Sequence, residues 1–494
     1  MVYSRRKFLQ TMAAGSAAAV LPGALLWGQN AGSTVPNILL IMADDMGYGD
    51  PQCYNPASKI PTPNIDRLAS QGKRFTDAHA PGAVCIPSRY GLLTGRYPYR
   101  TPMNWRERAL IDENRVTLGS LLQDQGYYTT MVGKWHQGFH TPKADRDHRQ
   151  PLRGGPVDRG FDQYFGIPAS LDQPPYYYIR NDKAVKPPTG EVEDNFTEGW
   201  SPIQGAFYRG GGIAPGFEHR EVLPRFAQEA ETFLQTHHQK RENQPFFLYL
   251  ALAAPHTPWM PDEAYDGVSE ASLYGDFAAH VDGAIGRVLD TLDSLGLREN
   301  TLVIFTSDNG PVWYDHDVNR FQHDSAGPLR GMKGDIWEAG HRMPFIVRWP
   351  GKVEPSSVSE ETICFTDLLA TFAAVTDTVL PEDAGEDSYN LLPVLLDQEY
   401  ESPLREATVF TSAGDFYAIR QGKWKLIPRR GSGGFTDPQE KVPGWGGTEG
   451  QLYDLENDLD ESNNLYDQYP EVVERLSNLL EQYKTSARTA PMMK

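Results

Sequence analysis

Three carboxylates and one amide stand at the ends of two apolar runs, where they could hold a cation. Residues 37–43 form a continuous apolar stretch that leads into Asp44 and Asp45. Residues 301–305 lead into Thr306-Ser307-Asp308-Asn309-Gly310. The first run reads as a strand buried on both faces, and α/β sheets bind ligands at the carboxyl edge of their strands. Asp44, Asp45, Asp308 and Asn309 form an all-oxygen set. That suits Ca2+ or Mg2+ and argues against Zn2+, which prefers nitrogen or sulfur. Alone, Asp-Asp or Asp-Asn-Gly is more often a turn or a helix cap. After apolar strands, with a cysteine-containing motif between them, metal binding becomes the favoured reading. That motif is Cys85-Ile86-Pro87-Ser88-Arg89, closed by Leu93-Thr94-Gly95-Arg96. Pro87 suits the first turn of a helix running to Gly95. Cys85 then sits at the helix N-terminus, where free N–H groups favour anions. Arg89 stays charged at any working pH and offers a fork of donors. A lone cysteine beside a helix is by itself more often a packed apolar residue.

The run from Cys85 to Arg89, with Leu93–Arg96 after it, resembles without a gap the signature of type I sulfatases. The resemblance implies that Cys85 is oxidised to Cα-formylglycine by a formylglycine-generating or maturase enzyme. It carries over Asp44, Asp45, Asp308, Asn309 and the modified Cys85 as ligands of a calcium ion, with magnesium as the alternative. Further blocks match in chain order: Gly133-Lys134-Trp135-His136, Ala254-Pro255-His256-Thr257-Pro258, and residues 327–334 with Lys333. Arg89, Lys134 and Lys333 would offset charge on the sulfate at fixed positions. One hydroxyl of the aldehyde hydrate would attack sulfur; the other, deprotonated by His136, would expel sulfate by C–O cleavage. His256, helped by Lys333, would protonate the leaving group, a task suited to an imidazole near neutrality. Ser170 matches a family serine that touches sulfate, and His341 with residues 170–178 would belong to the substrate pocket. Gln137 stands where the family commonly has Leu, and Met343 where it has Val. The implied activity is release of sulfate from a sulfated sugar, a polysaccharide or an aryl sulfate. The rivals are a phosphodiesterase or phosphonate monoester hydrolase of the same superfamily, and a non-catalytic glycan-binding relative if Cys85 stays a thiol.

These residues need a scaffold, and the pattern supplies one. Strands are expected near 37–43, 74–75, 127–132, 246–252, 301–305 and 345–349, with helices near 64–71, 117–125, 223–236 and 366–375. Tyr274, Phe277, Val281, Ile285, Val288 and Leu292 recur at helical spacing and read as core. Such alternation predicts an α/β fold, a large mostly parallel sheet flanked by helices, alkaline-phosphatase-like by resemblance. Residues 137–222, rich in Gly, Pro and aromatics, read as long loops over the site. Near residue 400 the texture changes to short strands at 408–411, 416–420, 423–427 and 451–453, then a closing helix at 472–484. The expected organisation is therefore a catalytic domain over 36–400 and a small antiparallel sheet with one helix over 401–494. Gly431–Gly434 and Gly444–Gly450 read as one mobile loop of turn-forming glycines.

Composition agrees with an exported enzyme. The 494 residues carry a formal charge of −19, so nucleic acid is an unfavoured partner and any anion site must be a local basic cluster. Three cysteines cannot form a disulfide scaffold, and Cys53 and Cys364 are expected as free buried thiols. Arg5-Arg6 before Phe8-Leu9 and a Gly/Ala-rich run broken by Pro22 resembles a twin-arginine signal over residues 1–30. That points to the Tat export machinery, a periplasmic or secreted destination, and no stable membrane span.

Overall fold

Every residue of the first strand, β1 (Asn37–Asp44), is buried, as an uninterrupted apolar run requires. A computed structural model describes residues 35–440 and 448–492. The expected export signal and positions 444–447 of the glycine-rich loop lie outside the described residues. Further strands follow: β2 (Lys73–His79), β3 (Tyr128–Lys134), β4 (Gln163–Ile167), β5 (Phe246–Pro255), β6 (Thr301–Ser307) and β7 (Arg342–Arg348). They belong to an eleven-stranded sheet whose centre runs β6-β1-β5-β3-β4, all parallel. β7 pairs antiparallel with β6, and β2 antiparallel with β7, so the sheet is mixed but mostly parallel. The expected strands all form.

The helices that matter are α1 (Cys85–Thr94), α2 (Val222–Arg241), α3 (Ser272–Ser294) and α4 (Leu368–Val375). Successive strand residues point to opposite faces, and β5 shows what covers each. Phe246 packs edge-on against Phe233 of α2 at 5.8 Å, while Phe247 meets Phe372 of α4 at 5.9 Å. Helices therefore lie on both faces.

The chain ends in a four-stranded antiparallel sheet, β8 (Thr408–Thr411), β9 (Tyr417–Gln421), β10 (Trp424–Ile427) and β11 (Gln451–Asp454). Helix α5 (Pro470–Thr485) closes it, burying Leu476 and Leu480 in one apolar cluster with Val409, Ile419 and Leu426. This sheet is tied to the main body just ahead of α1, where Ala83 N donates to Thr411 O at 2.8 Å.

Two expectations are corrected. The 137–222 stretch contributes β4 to the main sheet, a strand hidden because Gln163–Ile167 is short and follows a turn. Gly431–Gly434 is bonded into the body: Ile336 N donates to Ser432 O at 2.7 Å, and Ala413 N donates to Gly334 O at 2.9 Å beside it. Cys53, Cys85 and Cys364 are all free. Among the described residues, no helix is long and apolar enough to cross a membrane.

Candidate active site

The carboxyl edge of the parallel strands gathers the polar residues. Parallel register pairs Ala43 with Ser307, so Asp44 emerges beside Asp308. The chain then bends at Asp45, in the left-handed region with φ 66°, a conformation that Asp tolerates better than most residues. Asp45 N donates to Asp308 Oδ1 at 3.2 Å, and Asn309 Nδ2 donates to Asp45 Oδ1 at 2.7 Å. β3 delivers Lys134 to the same edge. Its Gly133, at φ 125°, leaves no space for a side chain: a Cβ there would lie 1.8 Å from Ala251 O of β5. Cys85 opens α1 as expected, with Val84 extended before it. His256 follows directly on β5.

Lys134 Nζ donates to both oxygens of Asp44, at 2.9 and 2.7 Å, and Lys333 Nζ to both of Asp45, at 2.6 and 2.7 Å. Arg89 Nε donates to Asp308 Oδ2 at 2.8 Å, and its NH2 lies 3.7 Å from Asp44 Oδ1. Three buried carboxylates thus face three buried cations. Burial opposes the charge on Asp44, but Lys134, His256, Arg89 and Lys333 together hold its carboxyl far below the usual range. Asp308 shifts the other way, raised by its burial and by neighbouring Asp44. Burial pushes the Cys85 thiol up to about 11 against the pull of Lys134 and Lys333. His136 is held well below its ordinary value by burial and by Lys134 and Arg89, so it is a neutral imidazole.

One ligand atom from each of Asp44, Asp45, Cys85 and His256 lies within 4.8 Å of the others, close enough to hold a metal ion. Asn309 Oδ1 is buried beside them without a hydrogen-bond partner. An orphaned buried acceptor is costly unless a cation or donor meets it, so this donor set fits an ion. His136 also has both ring nitrogens buried and unpartnered. Ser170 Oγ is in the same condition, on a segment running beside Trp135 and His136, which donate to Ile167 O and Pro168 O at 3.1 and 3.2 Å.

His341, expected at the substrate pocket, turns toward the seam between the two sheets. It is fully buried, its Nδ1 3.1 Å from His79 Nδ1 and its Nε2 3.2 Å from Lys425 Nζ, in a polar cluster that joins the two sheets. Trp105 was not picked out from the sequence, yet its ring stands edge-on to His136 with centroids 4.6 Å apart. Nor was Asp50, which accepts from Gly47 N at 2.6 Å and from Tyr274 OH at 2.5 Å beneath the Asp44–Asp45 bend. Neither carries a local motif; only the fold brings them near.

Comparison with known proteins agrees with this geometry. The sulfatase family model matches residues 36–378, and the model for the C-terminal part of N-sulphoglucosamine sulphohydrolase matches 333–486. An N-acetylgalactosamine-6-O-sulfatase of Bacteroides thetaiotaomicron is 37% identical over 497 residues, 93% of this chain and 94% of the relative. Human arylsulfatase A is 35% identical over 422 residues, 82% of this chain and 77% of the relative. A solved Bacteroides thetaiotaomicron structure, described within the metabolism of multiple glycosaminoglycans, superposes with TM-score 0.80 at 36% identity. It covers 92% of this chain and 100% of its own. Matched over most of its length and folded alike, the chain belongs to the type I sulfatases of the alkaline phosphatase superfamily, enzymes that hydrolyse sulfate esters.

Proposed function

We propose that this sulfatase removes sulfate from a sulfated sugar, using Cα-formylglycine made from Cys85 and a calcium ion held by Asp44, Asp45, Asp308, Asn309 and the modified side chain. The observation that carries the reading is the convergence of Asp44, Asp45, Cys85 and His256 within 4.8 Å, with Lys134 and Lys333 bonded to the two aspartates. A thiol held near 11 is not a thiolate at neutral pH and makes a poor nucleophile as it stands. As an unmodified set, two carboxylates, a thiol and an imidazole would suit zinc. Oxidising Cys85 replaces sulfur by oxygen, and with Asp308 and Asn309 the donors become mostly hard oxygens, which favours calcium. The relative's description as an N-acetylgalactosamine-6-O-sulfatase supports a sugar substrate.

Held there by Asp44, Asp45, Asp308 and Asn309, calcium would supply positive charge against the sulfate, and formylglycine made from Cys85 would supply the hydroxyl chemistry. The residues of the chain do the rest. Arg89, oriented by Asp308, and Lys134 and Lys333, oriented by Asp44 and Asp45, fix positive charge where the sulfate sits before it arrives. His136, neutral and unpartnered, is fit to accept a proton from the second hydroxyl. His256 has Nδ1 2.7 Å from Thr257 O, so Nδ1 carries the hydrogen that this carbonyl accepts. In the doubly protonated ring its Nε2, 3.7 Å from Asp45 Oδ2, is the nitrogen that would hand its proton to the leaving oxygen and return to the neutral form. Ser170 Oγ offers one further donor to the sulfate.

The same reading makes 36–400 the catalytic domain and 401–494 a C-terminal subdomain. It sends the protein to the periplasm or beyond through a twin-arginine signal, with a maturase acting on Cys85. Intact-mass measurement of active protein tests it: conversion of –CH2SH to –CHO lowers the mass by about 18 Da, whereas ordinary cysteine oxidation adds oxygen. Full sulfate release from a sulfated N-acetylhexosamine by unmodified protein, or under strong chelation, would overturn it.

A further inference from the structure

Beyond His136 the wall of the site is Trp105, and two cations rest against that ring. Arg106 Cζ lies 5.3 Å and Lys143 Nζ 5.7 Å from the indole centroid. Lys143 N donates to Arg106 O at 2.7 Å, which locks the two segments together. Arg106 NH2 donates to Gln173 Oε1 at 3.3 Å, three residues past Ser170. Arg106 is exposed and Lys143 half-buried. Among the described residues neither pairs with a carboxylate, whereas nearby Arg209 pairs with Asp172. Burial, then Arg106, Arg146 and Arg209, lowers the Lys143 ammonium, with Asp172 opposing.

Arg106 and Lys143 repel one another with no carboxylate among the described residues paired to either, and packing alone does not require them. A cation–π contact holds each cation against Trp105, but it leaves the charge unanswered. The surroundings sharpen the point. With a formal charge of −19 the chain repels polyanions at long range. At physiological salt that field is screened beyond about 8 Å, so close to the site the local cations decide.

We propose that Arg106 and Lys143, arrayed on Trp105 next to His136, form a second anion subsite. It takes a carboxylate or sulfate on the sugar adjoining the one that loses its sulfate. The proposal rests on the sulfated-sugar reading above and narrows it to substrates with at least two anionic groups on neighbouring sugars.

The test uses four substrates: a sulfated monosaccharide, the same sugar joined to a uronic acid, the methyl ester of that disaccharide, and a disaccharide bearing a second sulfate in place of the carboxylate. Wild-type enzyme is expected to show higher kcat/KM for the charged disaccharides than for the ester. Arg106→Gln and Lys143→Gln are each expected to remove roughly threefold to fivefold of that advantage, the size of one exposed ion pair. Turnover of the monosaccharide stays unchanged, and the wild-type advantage shrinks as salt rises. Which charged disaccharide is preferred tells carboxylate from sulfate. Equal kcat/KM for acid and ester, or variants that keep the full preference, would overturn the subsite. Binding of the same disaccharides to Cys85→Ser protein, by calorimetry, separates the two readings. Loss of monosaccharide turnover in wild type with the binding contrast intact would sink the proposed chemistry and leave the subsite standing.

Discussion

Replacing Lys134 by Met tests whether the centre is a balanced set of charges built for catalysis. Lys134 and Asp44 are both fully buried, and the ammonium spans both carboxylate oxygens at 2.9 and 2.7 Å. Truncating one partner of a buried pair costs about 3–5 kcal/mol, because the other charge stays buried and unpaired. Arg89, at 3.7 Å, still offsets part of the Asp44 charge, which places the variant near the lower bound. At roughly 1 °C per kcal/mol for a chain this large, that bound is a fall of about 3 °C in melting temperature in chelator. Added calcium should raise the variant's melting temperature more than that of wild type, since a dication there answers the carboxylates that Lys134 abandons. Turnover of nitrophenyl sulfate should move the opposite way, falling about a hundredfold or more with KM nearly constant, as when one preorganised charge stabiliser is lost. Calorimetric scans in chelator and in calcium, with steady-state kinetics on the same samples, supply both readouts. An unchanged melting temperature in chelator, or a loss confined to KM, would refute the reasoning.

Other outcomes follow from the same structure. Cys85→Ala should abolish turnover and keep a wild-type circular dichroism spectrum, since it removes only the precursor of the nucleophile; residual full activity would end the formylglycine reading. Lys425 is buried between Glu338 and Glu461, at 2.9 and 2.8 Å, so Lys425→Met should destabilise by about 3–5 kcal/mol in urea unfolding. Adding Glu461→Gln should recover part of that loss, because burial already raises this carboxyl to about 7 against the pull of Lys425. Asp282 accepts from Asn64 N and Ile65 N at 3.0 and 2.8 Å, and burial lifts its carboxyl from 3.8 to about 6 despite those bonds. The folded protein therefore keeps this proton where the unfolded chain has lost it. The stability it adds is full below pH 3.8 and gone once the pH has risen past about 6. Asp282→Asn should flatten the stability–pH curve across that window; an unaltered slope would show that Asp282 does not titrate there.

Much of this protein is legible in its amino-acid sequence. Apolar runs at 37–43 and 301–305 read as buried strands, and in an alternating α/β pattern such strands favour the inside of a parallel sheet, with their polar successors at the carboxyl edge. The motif from Cys85 to Arg89 marked the candidate nucleophile, because those residues lie about one helical turn apart and their relation is local. What stayed hidden depends on distant segments meeting. His341 lies beside a recognisable motif, yet it turns into the seam between the two sheets because His79 and Lys425 meet it there. Sequence spacing says nothing of which way a helix end faces. Trp105, Arg106 and Lys143 carry no motif; only the return of the 141–146 segment along 105–106 puts two cations on one indole. Periodicity and local motifs are short-range properties, so the chain by itself determined its strands, its candidate nucleophile and its ligand candidates. Long-range packing alone decided which charges pair, which histidine reaches the site, and what stands at its entrance.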